Sequence, residues 1–355
     1  MPAEEMAAPT EQPATEPEAA GPAVIDFWTT DNEPSRIAVY EGVAQRYMEQ
    51  NPGVEIRITG VDETAIADQI IAAAEQGNAP DIARLGLERT ARLISNNLVD
   101  FSAAAAVVDA VGRDDFREGP LAMTTAANTG EIFAVPYDGW VQALWYRRDL
   151  FENAGLNAPV SWDDINAACD RLAADGEVAH TLGLPSDPTS NYTHQVFVLV
   201  AMSFDAWPFD EAGNVTMNTP QIFEALRFYT VLQRGSDAAP QTLFDAREAY
   251  QLGQAGMLFY STYIMDDFVE GSERQDGSRV EIGVEDLPGK TGFASGMVGP
   301  NGSATYGQLV TLALLNGADP VAGDVARYFL TNGYYDIIKT APLGKIPVRE
   351  SALQD

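Results

Sequence analysis

The sequence predicts an α/β protein divided into two domains, and three features support this class. Short apolar runs alternate with segments whose apolar residues recur at helical spacing, as in a sheet flanked by helices. The chain has 355 residues, of which 46% are hydrophobic, so it can bury a large core and falls in the range where chains split into two domains. Proline, glycine and asparagine separate several of the runs, as at residues 51–53.

The first elements are predicted as strand, helix, strand, helix and strand. Their predicted positions are a strand at 24–28, a helix at 35–50, a strand at 54–59, a helix that ends near Gly77, and a strand opening at 79–82. This order is typical of a doubly wound sheet, in which ligands bind beyond the carboxyl ends of the strands. The loops at 29–32, 60–63 and 85–87 are therefore candidate ligand loops.

The most informative stretch covers residues 131–156, EIFAVPYDGWVQALWYRRDLFENAGL. An apolar run at 132–135 stops at Pro136, which has no amide hydrogen and is not expected inside a central strand. An aromatic and polar crossing, YDGW, leads to a second apolar run at 141–146. A short helix then ends at Gly155 in a left-handed cap. The pattern predicts either a hairpin within one domain or a hinge between two.

Helices and strands continue to alternate after this crossing. Helix starts are predicted where Ser161 precedes Asp164 and where Thr219 precedes Pro220. The remaining predicted elements are a helix at 193–204, a strand within 250–267, a strand at 309–315 and a helix at 319–330.

The net charge of −31 argues against partners that are themselves polyanions. Nucleic acid and anionic lipid would be repelled by most of the surface, and solubility or salt adaptation explains the charge without a cationic partner. Cys169 is the single cysteine, so no internal disulfide forms, and it falls on the apolar face of a predicted helix. The two histidines share no ligand spacing. We therefore predict no metal site and no cofactor.

The amino-terminal segment differs in kind from the rest. Residues 1–23 combine proline, glutamate and alanine without any aromatic or basic residue, which predicts a disordered tether. No charged and apolar leader precedes it, and no apolar run is long enough to span a membrane. Two interpretations follow: a cytosolic protein, or an exported one whose signal has been removed.

A family resemblance emerges from the order of short motifs along the chain. They include PGVEI at 52–56, APDI at 79–82, AVP at 134–136, LWY at 144–146, DLF at 149–151, AGL at 154–156, SWD at 161–163, GQAGM at 253–257, LPG at 287–289 and GKIPVR at 344–349. This succession resembles the extracellular solute-binding proteins that deliver sugars to ABC importers, the group similar to maltose-binding protein. In that family the central motifs form a crossover between two lobes, and ligand closes the cleft between them.

The resemblance implies a periplasmic-binding-protein-like fold of two lobes, each a mainly parallel sheet flanked by helices. We expect residues 24–134 and 309–331 in the first lobe, and residues 135–308 and 332–355 in the second. Family members continue with further helices past the last motif, so we expect C-terminal helices to be missing after Asp355. An acidic spacer resembles the linker of lipid-anchored binding proteins, which favours an exported, extracytoplasmic monomer that works with the transmembrane subunits of an importer.

Carboxylates at strand ends are the first group of candidate site residues: Asp31, Asp62, Glu63 and Asp138. Two carboxylates across a glycosidic bond would suit a glycosidase. Carboxylates also accept hydrogen bonds from sugar hydroxyls, which suits binding without chemistry. A solvated loop acid with no ligand role is the remaining alternative for each.

Aromatic residues form the second group, because a sugar presents an apolar C–H face that packs on a planar ring. Those at predicted loops or element starts are Tyr137, Trp140, Tyr192, Trp207, Tyr263 and Tyr306, and Gly307 follows the last of them. The resemblance places Tyr263 where the family has a binding aromatic. Trp28, Trp145 and Trp162 fall inside elements and are predicted to pack in the core.

Together these observations predict a non-enzymatic, substrate-binding component of an ABC importer that captures a carbohydrate, either a sugar or a polyol. The alternatives are a carbohydrate hydrolase that uses two of the named acids, and a binding protein for a peptide, an amino acid or a metal. Lysine and arginine are scarce in the candidate loops, which argues against strongly anionic ligands.

Overall fold

The computed structural model describes residues 22–210, 212–236, 241–274 and 277–353, so the predicted tether lies outside the described residues up to residue 21. The strands are β1 Ala23–Thr29, β2 Val54–Gly60, β3 Ile82–Gly86, β4 Val135–Arg147, β5 Met257–Ser261, β6 Thr291–Ala294, β7 Met297–Gly299, β8 Gly302–Ala304, β9 Gly307–Leu314 and β10 Ile346–Pro347. The helices α1 to α7 are Pro34–Gln50, Ile66–Glu75, Leu87–Ser95, Phe101–Val111, Glu118–Met123, Arg148–Ala154 and Trp162–Asp175. The helices α8 to α14 are Asn191–Ser203, Pro220–Leu232, Leu243–Gln251, Ile264–Glu270, Leu287–Lys290, Ala322–Leu330 and Tyr334–Ile338. The predicted α/β class is confirmed.

The first lobe is built on the strand order β4-β9-β3-β1-β2. Strand β1 pairs in parallel with β2 and β3, as the apolar run of β1 predicts. Strand β9 returns antiparallel between β3 and β4. Helix α1 covers the sheet with its buried face of Tyr40, Val43 and Tyr47. The loops after β1, β2 and β3 consequently open on one edge of the sheet.

The crossing differs from its prediction at Pro136. Strand β4 runs through this residue without a break, and its pairing with β9 shifts register between Pro136 and Asp138. A bulge leaves one residue outside the regular ladder, so the missing amide hydrogen of proline is tolerated there. Farther along, Gln142 and the residues after it pair with β5 and β6 instead of β9. Strand β4 therefore runs continuously from the first lobe into the second.

The second lobe gathers its helices around the far half of β4. Helix α7 begins with the predicted capping box, in which Ser161 accepts from the amide of Asp164 and the carboxylate of Asp164 accepts in return. Helix α9 begins with Thr219 as cap and Pro220 at the first position, also as predicted. Helix α6 ends at Gly155, whose φ of 69° is the left-handed conformation expected there. These signals act locally, which is why the sequence reveals them.

Two groups of buried side chains mark the lobes. One includes Phe27, Tyr40 and Phe329, whose rings pack on one another, and a smaller satellite core lies beside it around Ile66 and Leu93. The other includes Trp145, Trp162 and Phe259 together with most of the apolar residues between 143 and 297. Trp145 and Trp162 are buried, as expected for packing residues.

The assignment of residues 332–355 to the second lobe needs correction. Tyr334, Ile337 and Val348 are buried in the same cluster as Phe27 and Phe329. The Tyr334 hydroxyl donates to the carbonyl of Tyr137 in β4 and accepts from the amide of Val348, at 3.0 Å. The apolar face of α14 thus returns this segment to the first lobe. The other lobe boundaries remain a prediction.

We expect Tyr334→Phe to destabilise the protein, because it leaves the buried Tyr137 carbonyl and Val348 amide without this partner. Urea unfolding should show a loss of about 1–3 kcal/mol in the free energy of unfolding. The neighbouring Tyr335→Phe is a matched control, since Tyr335 is 46% exposed. Equal stability of the two variants would contradict this anchoring role.

Candidate functional site

A cavity of about 420 Å³ lies between the two lobes, and its wall includes residues from both and from the crossing strand. The loops after β1 and β2 contribute Asp31, Asp62 and Glu63, as their strand-end positions predict. Strand β4 contributes Trp140, and the second lobe contributes Tyr192 and Tyr263. These residues meet the first requirement for ligand contact, and contact itself stays a prediction.

The other predicted residues lie away from the cavity wall. Tyr137 is fully buried in the first-lobe core against the ring of Tyr334. Trp207 is 50% exposed, and its indole donates to Asp205. Neither position lets the ring face a ligand in the cavity, so both predictions need correction.

Tyr306, Gly307 and Asp138 also lie outside the wall. The ring of Tyr306 packs against that of Trp140, with centroids 5.6 Å apart. Gly307 pairs with Val141 in the sheet and lines a separate, smaller surface pocket. Asp138 is completely buried and bonds to protein groups. Direct ligand contact by Gly307 and Asp138 therefore needs correction, whereas ligand contact by Tyr306 stays a prediction.

Asp31 sits in a cluster of positive charges at the floor of the cavity. Its carboxylate accepts from Arg36 at 3.1 Å and from the Tyr40 hydroxyl at 3.0 Å, and it pairs with the buried Lys345. Arg84 approaches to 3.5 Å. Burial alone would raise the pKa of Asp31, but the surrounding cations hold it well below its ordinary value. Asp31 is therefore an ionised partner of the cluster with little capacity left for a sugar hydroxyl.

Asp138 completes this network from the crossing strand. It accepts from Arg84 at 2.7 Å and from the Tyr263 hydroxyl at 2.6 Å, one on each carboxylate oxygen. Arg84 and Asp138 are at most 2% exposed. The hydroxyl of Tyr263 is thus occupied, while Tyr263 still lines the cavity. Its ring can pack on a ligand even though its hydroxyl is used.

Several wall residues were missed because they lie inside helices and strands rather than in loops. Arg84 belongs to β3, Gln142 to β4 and Gln308 to β9, whereas Arg36 and Arg247 belong to α1 and α10. Polar residues within otherwise apolar strands were the available signal. The scarcity of cations in the candidate loops therefore misrepresents the cavity, which has three arginines in its wall.

The described residues bring no group of three histidine, cysteine, aspartate or glutamate side chains together in a way that could hold a metal ion. Within the same part of the chain, no helix has both the length and the apolar character needed to cross a membrane.

Comparisons with known proteins agree with a binding function. A family model described as bacterial extracellular solute-binding protein matches residues 31–333. YcjN of Escherichia coli K12, which carries the provisional name of an ABC transporter periplasmic-binding protein, is 25% identical over 334 residues, covering 93% of this chain and 74% of YcjN. The arabinooligosaccharide-binding protein of Halalkalibacterium halodurans is 24% identical over 306 residues, covering 81% of this chain and 64% of that protein.

The fold is also that of a solved sugar complex. Maltose-bound MalE3 of T. maritima matches with a TM-score of 0.74 and 22% sequence identity, covering 94% of this chain and 83% of that chain. At this identity the likeness establishes the fold alone. The predicted two-lobed architecture with a cleft between the lobes is confirmed.

The buried network predicts the effect of Asp138→Asn. An amide would remove the closer of the two carboxylates from Arg84 and leave only Asp31, at 3.5 Å, to balance its buried charge, so the free energy of unfolding should fall by about 3–5 kcal/mol. The control is Asp336→Asn, because the ion pair of Asp336 with Arg46 is exposed and should contribute less than about 1 kcal/mol. Chemical denaturation measures both, and a small loss in Asp138→Asn would contradict a structural role.

Proposed function

The chain belongs to the bacterial extracellular solute-binding proteins, and we propose that it captures a carbohydrate in the interlobe cavity and presents it to an ABC importer. Proteins of this family bind small solutes, including sugars, and do not catalyse reactions. The single observation that carries the proposal is the position of the cavity between two lobes linked by a continuous strand. In such an arrangement, a ligand that contacts both walls stabilises the closed form.

The chemistry of the wall supports a sugar or polyol. Trp140 and Tyr263 offer aromatic surface for a C–H face, while polar side chains surround them. Glu63, Asn191 and Gln308 supply donors and acceptors for hydroxyl groups. The names of an arabinooligosaccharide-binding relative and a maltose-bound neighbour point to the same class.

Closure is supported by side chains that meet across the cavity. Glu273 of the second lobe accepts from the backbone amide of Ser35, at 3.3 Å, and from its hydroxyl. Ser35 lies in the first turn of α1, where amide hydrogens lack partners within the helix. The Asn191 amide donates to Glu63 at 3.4 Å and to Glu88 at 3.2 Å. These contacts exist only while the lobes are together, so they bias the equilibrium toward closure.

The remaining parts of the proposal concern location and assembly. Membership of an extracellular family supports a site of action outside the cytoplasm. Lipid anchoring, a monomeric state and the identity of the importer remain proposals.

A sugar titration tests the proposed function. Purified protein is titrated with monosaccharides, oligosaccharides, polyols and glycerophosphodiesters, and we expect at least one to quench or shift tryptophan fluorescence through Trp140. The same ligand should raise the melting temperature. At a hundredfold excess over Kd it should add about 2.7 kcal/mol to the free energy of unfolding. A complete lack of response to the panel would overturn the proposal.

The cross-lobe contact predicts faster ligand release in Glu273→Ala. Losing a charge-assisted bond to Ser35 in the closed state should raise the dissociation rate by about tenfold or more. The matched control is Glu270→Ala, because Glu270 also pairs with Arg279 but is an exposed residue outside the cavity wall. Stopped-flow fluorescence with the ligand found above measures both rates. Identical rates in the two variants would show that the contact does not hold the lobes closed.

A further inference from the structure

Arg247 on α10 is a wall residue whose charge is only partly compensated. It is 6% exposed and lines the cavity. Its Nη1 donates to Asp267 over a long 3.4 Å, and its guanidinium lies 5.4 Å from the ring centre of Phe244. Among the described residues, its buried Nε and Nη2 have no hydrogen-bond partner. Buried donors of a charged group are costly when unpaired, so these two atoms call for an acceptor.

Two other arginines indicate what that acceptor is. Arg147 donates through Nε and Nη2 to the two oxygens of Asp149, at 2.8 and 2.6 Å. Arg274 uses the same edge for the two oxygens of Glu248, at 3.2 and 3.0 Å. This edge presents two parallel N–H groups that match a planar carboxylate. In Arg247 it is the unused edge.

Gln142 presents a second unsatisfied group in the same wall. It is 1% exposed and lines the cavity, and neither its amide nitrogen nor its oxygen has a partner within the described residues. In the sheet it stands opposite Ser261, which follows Tyr260. Arg247 and Gln142 are therefore two wall residues of one cavity, each with buried polar atoms that lack a partner among the described residues.

Resting on the proposed function, we propose that the ligand is an acidic sugar, a hexuronate or a uronate-containing oligosaccharide, whose carboxylate binds the Nε and Nη2 edge of Arg247. Gln142 then binds a neighbouring hydroxyl, for which its amide offers both a donor and an acceptor. A neutral hydroxyl oxygen would leave the two-pronged edge poorly matched.

The neighbouring charges favour a single carboxylate over a more highly charged ligand. Arg36 and Arg84 already have aspartate partners at 3.1 and 2.7 Å. The wall also carries Asp62, Glu63 and Glu273, which would repel a polyanion. Arg84 also has an Nε without a partner among the described residues, but its Nη2 already donates to Asp138. Arg247 leaves both atoms of the edge that suits a carboxylate unpaired, so it selects where the ligand's charge resides.

Matched pairs of sugars test this inference. Galacturonate is compared with galactose, glucuronate with glucose, and digalacturonate with a neutral disaccharide, by calorimetric titration of the full chain. We expect the acids to bind tighter by about tenfold or more, the scale of one charge-assisted bidentate interaction. Arg247→Gln should abolish this preference, and Arg247→Lys should keep only part of it, because lysine retains the charge and loses the planar edge.

The controls separate binding from folding. Arg227→Gln removes an exposed arginine of the same lobe that also pairs with a glutamate, and it should keep the preference for acids. Melting temperatures of all variants identify any that fail to fold, in which case Arg247→Lys decides. Equal affinity of the wild type for acid and neutral members would overturn the inference and leave the proposed function intact. Tighter binding of sugar phosphates than of uronates would also overturn it, and failure of every sugar would overturn both.

The pH dependence of uronate affinity provides a further test, because an arginine with a purely structural role would not affect it. Burial raises the pKa of Asp267 to about 6, against the opposing effect of Arg247 and Arg36, while Glu33 and Asp266 raise it further. Going from about pH 7.5 to about pH 5.5 therefore neutralises Asp267 while a uronate stays ionised. Burial also raises the pKa of Glu63 in the same wall, and its protonation acts on acidic and neutral sugars alike. Uronate affinity should therefore rise relative to neutral-sugar affinity, whereas Asp267→Asn should flatten this ratio. A ratio of uronate to neutral-sugar affinity that falls with acidification in the wild type would contradict the inference.

Discussion

The buried ion pair between Arg84 and Asp138 is the interaction on which the cavity depends. It joins β3 of the first lobe to the strand that crosses between the lobes, and both side chains are removed from water. Either charge alone would cost several kcal/mol in such a site, so each one fixes the other. Tyr263 of the second lobe donates to the same aspartate, and Asp31 lies beside the same arginine. The floor of the cavity is therefore one connected network, shared by both lobes.

Because Asp31, Arg84 and Asp138 are engaged with one another, ligand contact and lobe closure fall to other residues around the cavity. The carboxylates of this network, Asp31 and Asp138, are already paired and have little left to offer a ligand. Gln142 and Arg247 each have two buried polar atoms without a partner among the described residues, and a contact between the lobes joins Glu273 to Ser35. The contacts proposed for recognition and for closure therefore involve different residues, so each can be removed by substitution while the other is kept.

The sequence predicted what local physics determines and missed what distant partners determine. Capping at Ser161 and Thr219 and the left-handed Gly155 depend on neighbouring residues alone, and all three occur as expected. The break at Pro136 was wrong, because β9 supplies a bulge that accommodates proline. Strand ends placed Asp31 and Asp62 at the cavity correctly, but the periodicity of a helix cannot show that Arg247 faces a cleft.

The same long-range partners bear on hydrolysis for two of the acids that the sequence singled out, Asp31 and Asp138. A glycosidase needs one carboxyl group that holds a proton and another that faces the sugar as a base or nucleophile. Asp31 cannot hold the proton, because the cations around it lower its pKa well below the ordinary value. Asp138 cannot face the sugar, because it is fully buried and both of its oxygens are occupied. Asp31 and Asp138 are therefore structural members of a buried ion-pair network, and their partners leave them unable to act as the acid and base of a glycosidase.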